Sequence, residues 1–407
     1  MAADFILGIS YWPRRKGLAW WRAFDAGEVR EEFAHIRSLG LSLVRFGLLW
    51  HEFQPEADRL NHRMLDRLGV VLDVAEDTDL RALPVLFTGY AAGALWYPDW
   101  ALEEGTPTHA SPRLLVNGRE VRGYRVKDFY EDKGMLEAQQ RFLRETVGYY
   151  AGHPAIWGWG LSDDPERARL ARAAGAAEEW LGTLAACARE LAPDARLAFG
   201  LGQDSLAGKA ALRLDHLTEL CNLIALHVHP GWSAVAEDPL DADFVLYALT
   251  LARALSGQAP FLGSLGIGTV PKPGDPGTFL SSRTTHGRFY LASETEQAEY
   301  IEKVLAESWR AGMPGAWVMT YADAPEAQWE EPPFDEAVWE RTAGVVRRDG
   351  TEKPAAETLR RFARRLQREE TRPPASGRKL EVDPDEYYRD PAAQFARLYQ
   401  VYREGGH

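Results

Sequence analysis

Cysteine is nearly absent. Cys187 and Cys221 are the two in 407 residues, and neither has the CxxC or Cys/His spacing of a redox or zinc site, so both read as buried thiols. No apolar run approaches the ~20 residues that a membrane helix requires, which excludes a helical span. The opening MAADFILGISYW lacks the basic stretch, long apolar segment and small-residue cleavage site of a secretory signal, so the expected location is the cytoplasm. An excess of positive charge is missing too: 47 Lys and Arg against 60 Asp and Glu leave a net charge of -13. That balance opposes phosphate neutralisation, so nucleic acid is not an expected partner and a neutral or cationic one is easier to accommodate. No tandem repeat is present.

What is present is an ordinary soluble composition, 45% hydrophobic and 26% charged. Short β-rich apolar runs alternate with longer stretches of helical periodicity, the pattern of a parallel sheet with crossover helices. Eight strand candidates can be counted: Phe5–Trp12, Leu43–Trp50, Ala82–Thr88, the HPAIWGWGL segment from 153, Arg196–Leu201, Leu223–Val228, Phe261–Leu265 and Ala316–Tyr321. Helical patterns fall between them, among them Asp66–Glu76, Met135–Tyr150, Ala171–Leu191 and Thr295–Ala311, and glycine at Leu39-Gly40 suits a helix end. The expected fold is therefore α/β, a (β/α)₈ barrel over residues 1–367. A long excursion at 89–133 reads as irregular apart from LLVNGREV, whose Asn117-Gly118 pair signals a hairpin. Residues 368–381 read as a linker. The tail beyond it carries Tyr387, Tyr388, Phe395, Leu398 and Tyr399, too few apolar residues for a core of its own, and is expected to dock on the barrel.

HPAIWGWGLSDDPE at 153–166 resembles the fourth-strand motif of the glycoside hydrolase superclan of (β/α)₈ barrels that includes cellulase-like and β-galactosidase-like families. Their usual form is HPAI, a tryptophan, then Asn-Glu-Pro, with the glutamate as general acid/base. Further resemblances follow in the same order: Arg45 and Trp50 to the second-strand arginine and aromatic, HVHP at 227–230 to H-x-Y-P of the sixth strand, Trp317 to the eighth-strand tryptophan, and GVVRRDGTEKPAAE at 344–357 to the closing segment. The resemblance spans about residues 5–365 and implies a sugar pocket at the C-terminal ends of the strands. It implies a carbohydrate or glycoside ligand; no cofactor is expected, and His227 and His229 have no third ligand of recognisable spacing with which to hold a metal.

The chain departs from that pattern at the two positions where chemistry is expected. Asp163-Asp164 replaces Asn-Glu, so the acid/base position keeps a carboxyl but loses a methylene; PFLGSLG at 260–266 places Ser264 where the family has its nucleophilic glutamate. A retaining glycosidase needs two carboxyls about 5–5.5 Å apart, and an inverting one about 6.5–9.5 Å. Asp163 and Asp164 read equally well as a helix N-cap before Pro165. Ser264 reads as an empty nucleophile position, as space for water in an inverting mechanism, or as a misaligned strand. Asp323 is the first candidate for a compensating carboxylate, with Glu326, Asp204 and Glu52 behind it, although each alone reads more readily as a solvated loop acid.

His227 and His229, two apart on a strand, share a side and are expected to hydrogen-bond in the pocket, although one reads equally as a satisfied core histidine. Tyr11, Trp12, Trp50, Trp96, Trp317 and Tyr321 fall at or beyond strand ends as stacking platforms, and Arg45 is expected to brace the carboxylates. Some of these rings read as core. The functional expectation is action on a glycosidic bond by a non-standard site. The alternatives are a pseudo-enzyme that binds carbohydrate or a protein partner, and glycosyl transfer.

Overall fold

The computed structural model describes residues 5–106, 112–173, 175–208, 212–281, 287–368 and 377–405. The eight apolar runs form parallel strands β1 (Ile6–Ser10), β2 (Leu43–Leu49), β3 (Arg81–Thr88), β4 (Gly158–Asp163), β5 (Arg196–Gly202), β6 (Leu223–His227), β7 (Phe261–Leu265) and β8 (Gly315–Val318). Each pairs with the next in the chain, and β8 pairs back to β1, so the sheet closes as a barrel. Between and after the strands run α1 (Ala26–Ser38), α2 (His62–Asp77), α3 (Lys133–Tyr150), α4 (Ala176–Leu191), α5 (Leu214–Leu220), α6 (Ala242–Ser256), α7 (Glu294–Arg310) and α8 (Pro354–Arg368). The architecture is the (β/α)₈ barrel that the alternation of runs predicts.

Period-two alternation along the strands separates two cores. Val44 and Phe46 of β2 point outward and join Val29, Phe33 and Ile36 of α1 in the layer between strands and helices. Leu43 points inward and meets Leu83, Trp157, Ala198, Leu223, Ala225, Phe261 and Trp317 in a plug that fills the barrel axis. The Phe261 and Trp317 rings stack there at 5.4 Å. Above this plug the inward positions belong to the site. Gly40, just past α1, takes φ 83 and lies so close to α8 that a Cβ would stand 2.4 Å from that of Ala363. Glycine there meets both a left-handed backbone and a close helix approach.

The excursion after β3 is more ordered than its composition suggests. Arg113–Val116 and Arg119–Glu120 pair as a hairpin around Asn117 and Gly118, whose φ values are 50 and 78. Those strands extend a small sheet with Tyr90–Ala91 and Ala94–Trp96, and Leu102–Glu104 pairs with Tyr124–Val126. The left-handed Asn-Gly turn sets the register, and its neighbours supply enough alternating side chains to complete the sheet.

Of the linker, residues 369–376 lie outside the described residues. Beyond it, α9 (Pro391–Arg403) lies against α6: Phe395 meets Phe244 edge-on at 5.9 Å, and the Tyr247 hydroxyl donates to the Phe395 carbonyl at 2.5 Å. The Tyr387 hydroxyl reaches the Leu206 carbonyl, and Tyr399 donates to Asp241. Tyr388 accepts from the Leu214 backbone N–H at 2.9 Å. Truncating a buried Phe removes transfer energy and leaves a cavity. Phe395→Ala should therefore destabilise the chain by about 3 kcal/mol in denaturant titrations, and deletion of residues 382–407 should lower the melting temperature. An unchanged melting temperature would show that the tail contributes no packing energy.

Candidate active site

Arg45 points inward from β2 and forms an ion pair with Asp163 at the end of β4, inside the barrel mouth. Its guanidinium stands 5.7 Å above the centre of the Trp317 ring and donates to Ser10 Oγ at 3.3 Å. Asp163 reaches this position through a bulge. The register of β4 against β5 runs Gly160↔Ala198 and then Ser162↔Phe199, skipping Leu161 and bringing Asp163 opposite Gly200. A Cβ on Gly200 would lie 2.0 Å from Asp163 Oδ1, and one on Gly202 would lie 3.0 Å from Asp164 Oδ1. These two glycines of β5 are the space that the two carboxylates occupy.

Asp164 adopts a left-handed backbone (φ 42, ψ 49) at the start of the short turn Pro165–Arg167, yet its side chain makes no capping hydrogen bond. Asp164 thus stands at the N-cap position of that turn without the side-chain bond for which Asp is favoured there. The carboxylate faces Arg167 instead, 3.4 Å from Nε. Asp is among the few residues that tolerate this backbone region, and strained positions of this kind concentrate at functional sites. Arg167 in turn stands 4.8 Å over the Tyr90 ring, and Asp164, Tyr90 and Asp204 together push its pKa up against the effect of burial. Burial pushes the Tyr90 phenol up to about 12, with Glu340, Asp164 and Asp204 acting in the same direction and Arg167 against it.

His227 ends β6, with Nε2 3.4 Å from Asp163 Oδ1 and a hydrogen bond to the Gly263 backbone. Ser264 of β7 is its partner across the sheet, but no hydrogen bond joins the Ser264 hydroxyl to His227 among the described residues. Burial drives both His227 and His229 down to about 4, so both rings are neutral near pH 7. The His229 backbone N–H donates to Gln203 Oε1 at 2.8 Å. Among the described residues no group of three or more His, Cys, Asp or Glu could hold a metal ion.

These side chains open into one cavity of about 660 Å³ at the C-terminal ends of the strands. Of the residues expected from sequence, Tyr11, Trp12, Arg45, Asp163, Asp164, Asp204, His227, His229 and Ser264 line it.

Trp50, Trp96, Trp317, Tyr321, Asp323, Glu52 and Glu326 do not, and each has a physical reason. Trp317 belongs to the axial plug and supports Arg45 from below. Trp50 is buried among Phe87, Tyr97 and Trp100, its indole donating to Gln54, and Trp96 packs on His51. Tyr321 faces outward and bonds His35 at 2.9 Å. Asp323 accepts from Lys353 Nζ at 2.7 Å and from the Gly344 N–H at 3.0 Å, a buried structural pair in which burial pushes the carboxyl up to about 6. Glu52 pairs with Arg22, and Glu326 with Arg348.

Sequence reasoning missed Trp20, Tyr90, Trp232, Trp339 and Glu340, which complete the walls. Their only signal is aromatic content in the segments that follow strands; the loops after β1, β3, β6 and β8 bring them together. Trp232 and Trp339 meet edge-to-face at 5.0 Å.

The fold is a closed (β/α)₈ barrel of the kind found in glycoside hydrolases of known structure. No protein-family model and no curated protein matches the chain. Among solved structures it is similar to GH5_18 from Streptomyces cattleya in complex with GlcNAc: TM-score 0.78 and 18% identity, over 100% of this chain and 92% of that one. It is also similar to a GH5_18 from Bifidobacterium longum subsp. infantis (TM-score 0.74, 19% identity, 99% and 90% covered). A third likeness is to the exo-beta-1,4-mannosidase Op5Man5 from Opitutaceae bacterium strain TAV5 (TM-score 0.70, 22% identity), where the match covers 90% of this chain and 60% of that one.

The cavity's first wall rests on a titratable group. Tyr11 Oη donates to Glu32 Oε2 at 2.9 Å, and Glu32 also accepts from the Arg14 N–H. Burial raises Glu32 to about 7, the Tyr11 bond opposing it. An unfolded glutamate titrates near 4.3, so between about pH 4 and 7 the folded chain holds a proton that the unfolded chain has lost. The stabilisation linked to that proton is full at low pH and is lost as pH rises through 7. Glu32→Gln should therefore gain stability relative to the parent between pH 5 and 7.5, by on the order of 2 kcal/mol. Parallel melting curves across that range would contradict a protonated Glu32.

Proposed function

We propose that this protein recognises a carbohydrate or glycoside in the cavity and does not hydrolyse it by the retaining mechanism. The observation that carries this reading is what β7 delivers to the cavity: Ser264, opposite His227, with no carboxylate in PFLGSLG. Double displacement needs a carboxylate nucleophile within about 5–5.5 Å of the acid. A serine replaces it only when a base takes its proton. His227 is not placed as that base: among the described residues no hydrogen bond joins it to the Ser264 hydroxyl, it bonds the Gly263 backbone instead, and burial lowers its basicity.

Recognition, in contrast, is well provided for. Tyr90, Trp12, Trp20, Trp232 and Trp339 offer flat apolar faces for sugar C–H groups, while Arg45, Asp163, Asp164, His227 and His229 offer hydrogen bonds for hydroxyls. Solved structures with this fold hold GlcNAc and Manb1-4GlcNAc, which supports a saccharide as the class of ligand.

Nitrophenyl β-glucoside, β-mannoside, β-galactoside and β-N-acetylglucosaminide should give no burst, and intact mass spectrometry should find no sugar on the protein. Calorimetry with the corresponding disaccharides should show binding that Trp12→Ala or His229→Ala weakens by about 10-fold, near 1.4 kcal/mol. A covalent sugar on Ser264 overturns the reading. Turnover abolished by Asp164→Asn but kept in Ser264→Ala would replace it with inverting hydrolysis. Ser264→Glu combined with Asp164→Glu should confer hydrolysis if the two carboxylates are all that is missing.

A further inference from the structure

The cavity carries more acid than base. Its lining includes Asp163, Asp164, Asp204 and Glu340 against Arg45 and Arg167, with no lysine, and its two histidines are neutral near pH 7. Both guanidiniums are engaged: Arg45 by Asp163, and Arg167 by Asp164 and by the face of Tyr90. Glu340, half-buried on the wall contributed by the loop after β8, forms no ion pair among the described residues. Burial lifts its carboxyl to about 7, and a hydrogen bond from the Trp339 side chain opposes the shift. Glu340, Asp164 and Asp204 each push the Tyr90 phenol up, so all three carboxyls lie within electrostatic reach of that ring.

A carboxylate moved out of water costs free energy unless a cation or several donors compensate it. No described residue supplies a cation to Glu340. A ligand can.

We infer that Glu340 makes the cavity selective for a saccharide bearing a free ammonium, an amino sugar that is not N-acylated. The ammonium would donate charge-assisted hydrogen bonds to Glu340, stronger than those of a neutral hydroxyl. Trp339 beside the carboxyl, with Trp232 packed on it, supplies aromatic faces that favour a desolvated cation. An N-acetyl group removes the charge and leaves Glu340 uncompensated, so the discrimination comes from charge rather than from ring shape. This inference rests on the proposal that the cavity binds a saccharide, and names the class.

The test titrates the full chain at pH 7.5 with the β1-4-linked disaccharide of glucosamine, with its di-N-acetylated form, and with cellobiose. The free-amine disaccharide should bind at least ~10-fold more tightly than either neutral one. Glu340→Gln, with a melting temperature close to the parent's, should erase that preference while leaving affinity for the neutral sugars within ~3-fold. Raising salt should weaken the amine ligand alone. Equal affinities for the three ligands, or a preference that survives Glu340→Gln, overturn the inference and leave saccharide recognition standing. Binding of none of the three overturns the inference, and if wider saccharide screens also fail, recognition falls with it.

Discussion

Two charges lie inside the mouth of the barrel, and the site is arranged around keeping them there. Arg45 and Asp163 are taken out of bulk water, so each is tolerated only because the other is present. The Trp317 ring lies below the guanidinium, Ser10 accepts a bond from it, and Gly200 vacates the volume that Asp163 fills. Removing either charged partner leaves the other uncompensated, and a side chain at Gly200 leaves the carboxylate without room. That pair also marks where the barrel changes character, from an apolar plug beneath it to a polar cavity above it.

The aromatic residues show how strongly the barrel's geometry divides labour. Trp317, on β8, has its neighbours in the axial plug and acts on the site through Arg45. Trp12, just past the end of β1, reaches the cavity, its indole held by the Ala322 carbonyl at 2.9 Å. Trp232 and Trp339 come from loops far apart in sequence and form a wall only because β6 and β8 end on the same face. The same division separates the carboxyls: Asp323 is fastened to Lys353 and holds the loop after β8, whereas Glu340 of that loop faces the cavity.

Similarity to glycoside hydrolases of known structure establishes the barrel, and a shared fold does not by itself establish shared chemistry. What this chain can do follows from the side chains it places on that scaffold. Those side chains supply a walled, hydrogen-bonding, net acidic cavity with a serine on β7. The proposal of saccharide recognition without a covalent intermediate rests on that lining.

From the amino-acid sequence alone, the barrel is legible because alternation of β-rich runs and helical periodicity is a local property, written within each 10–20-residue window. The positions of Asp163, Asp164, His227, His229 and Ser264 are legible for a related reason: each stands at or near a strand end, and barrel strands all end on one face, whereas Arg45 lies within β2. Which way a ring at a strand end points is not local. Trp50 and Tyr321 turn outward, and Asp163 turns inward because a bulge skips Leu161. The partners of the carboxyls are equally non-local, since Lys353 meets Asp323 across a 30-residue separation and no cation meets Glu340 among the described residues. Tertiary structure alone decided these, because burial and ion pairing depend on which distant segments pack together, and that choice leaves no periodic trace in the chain.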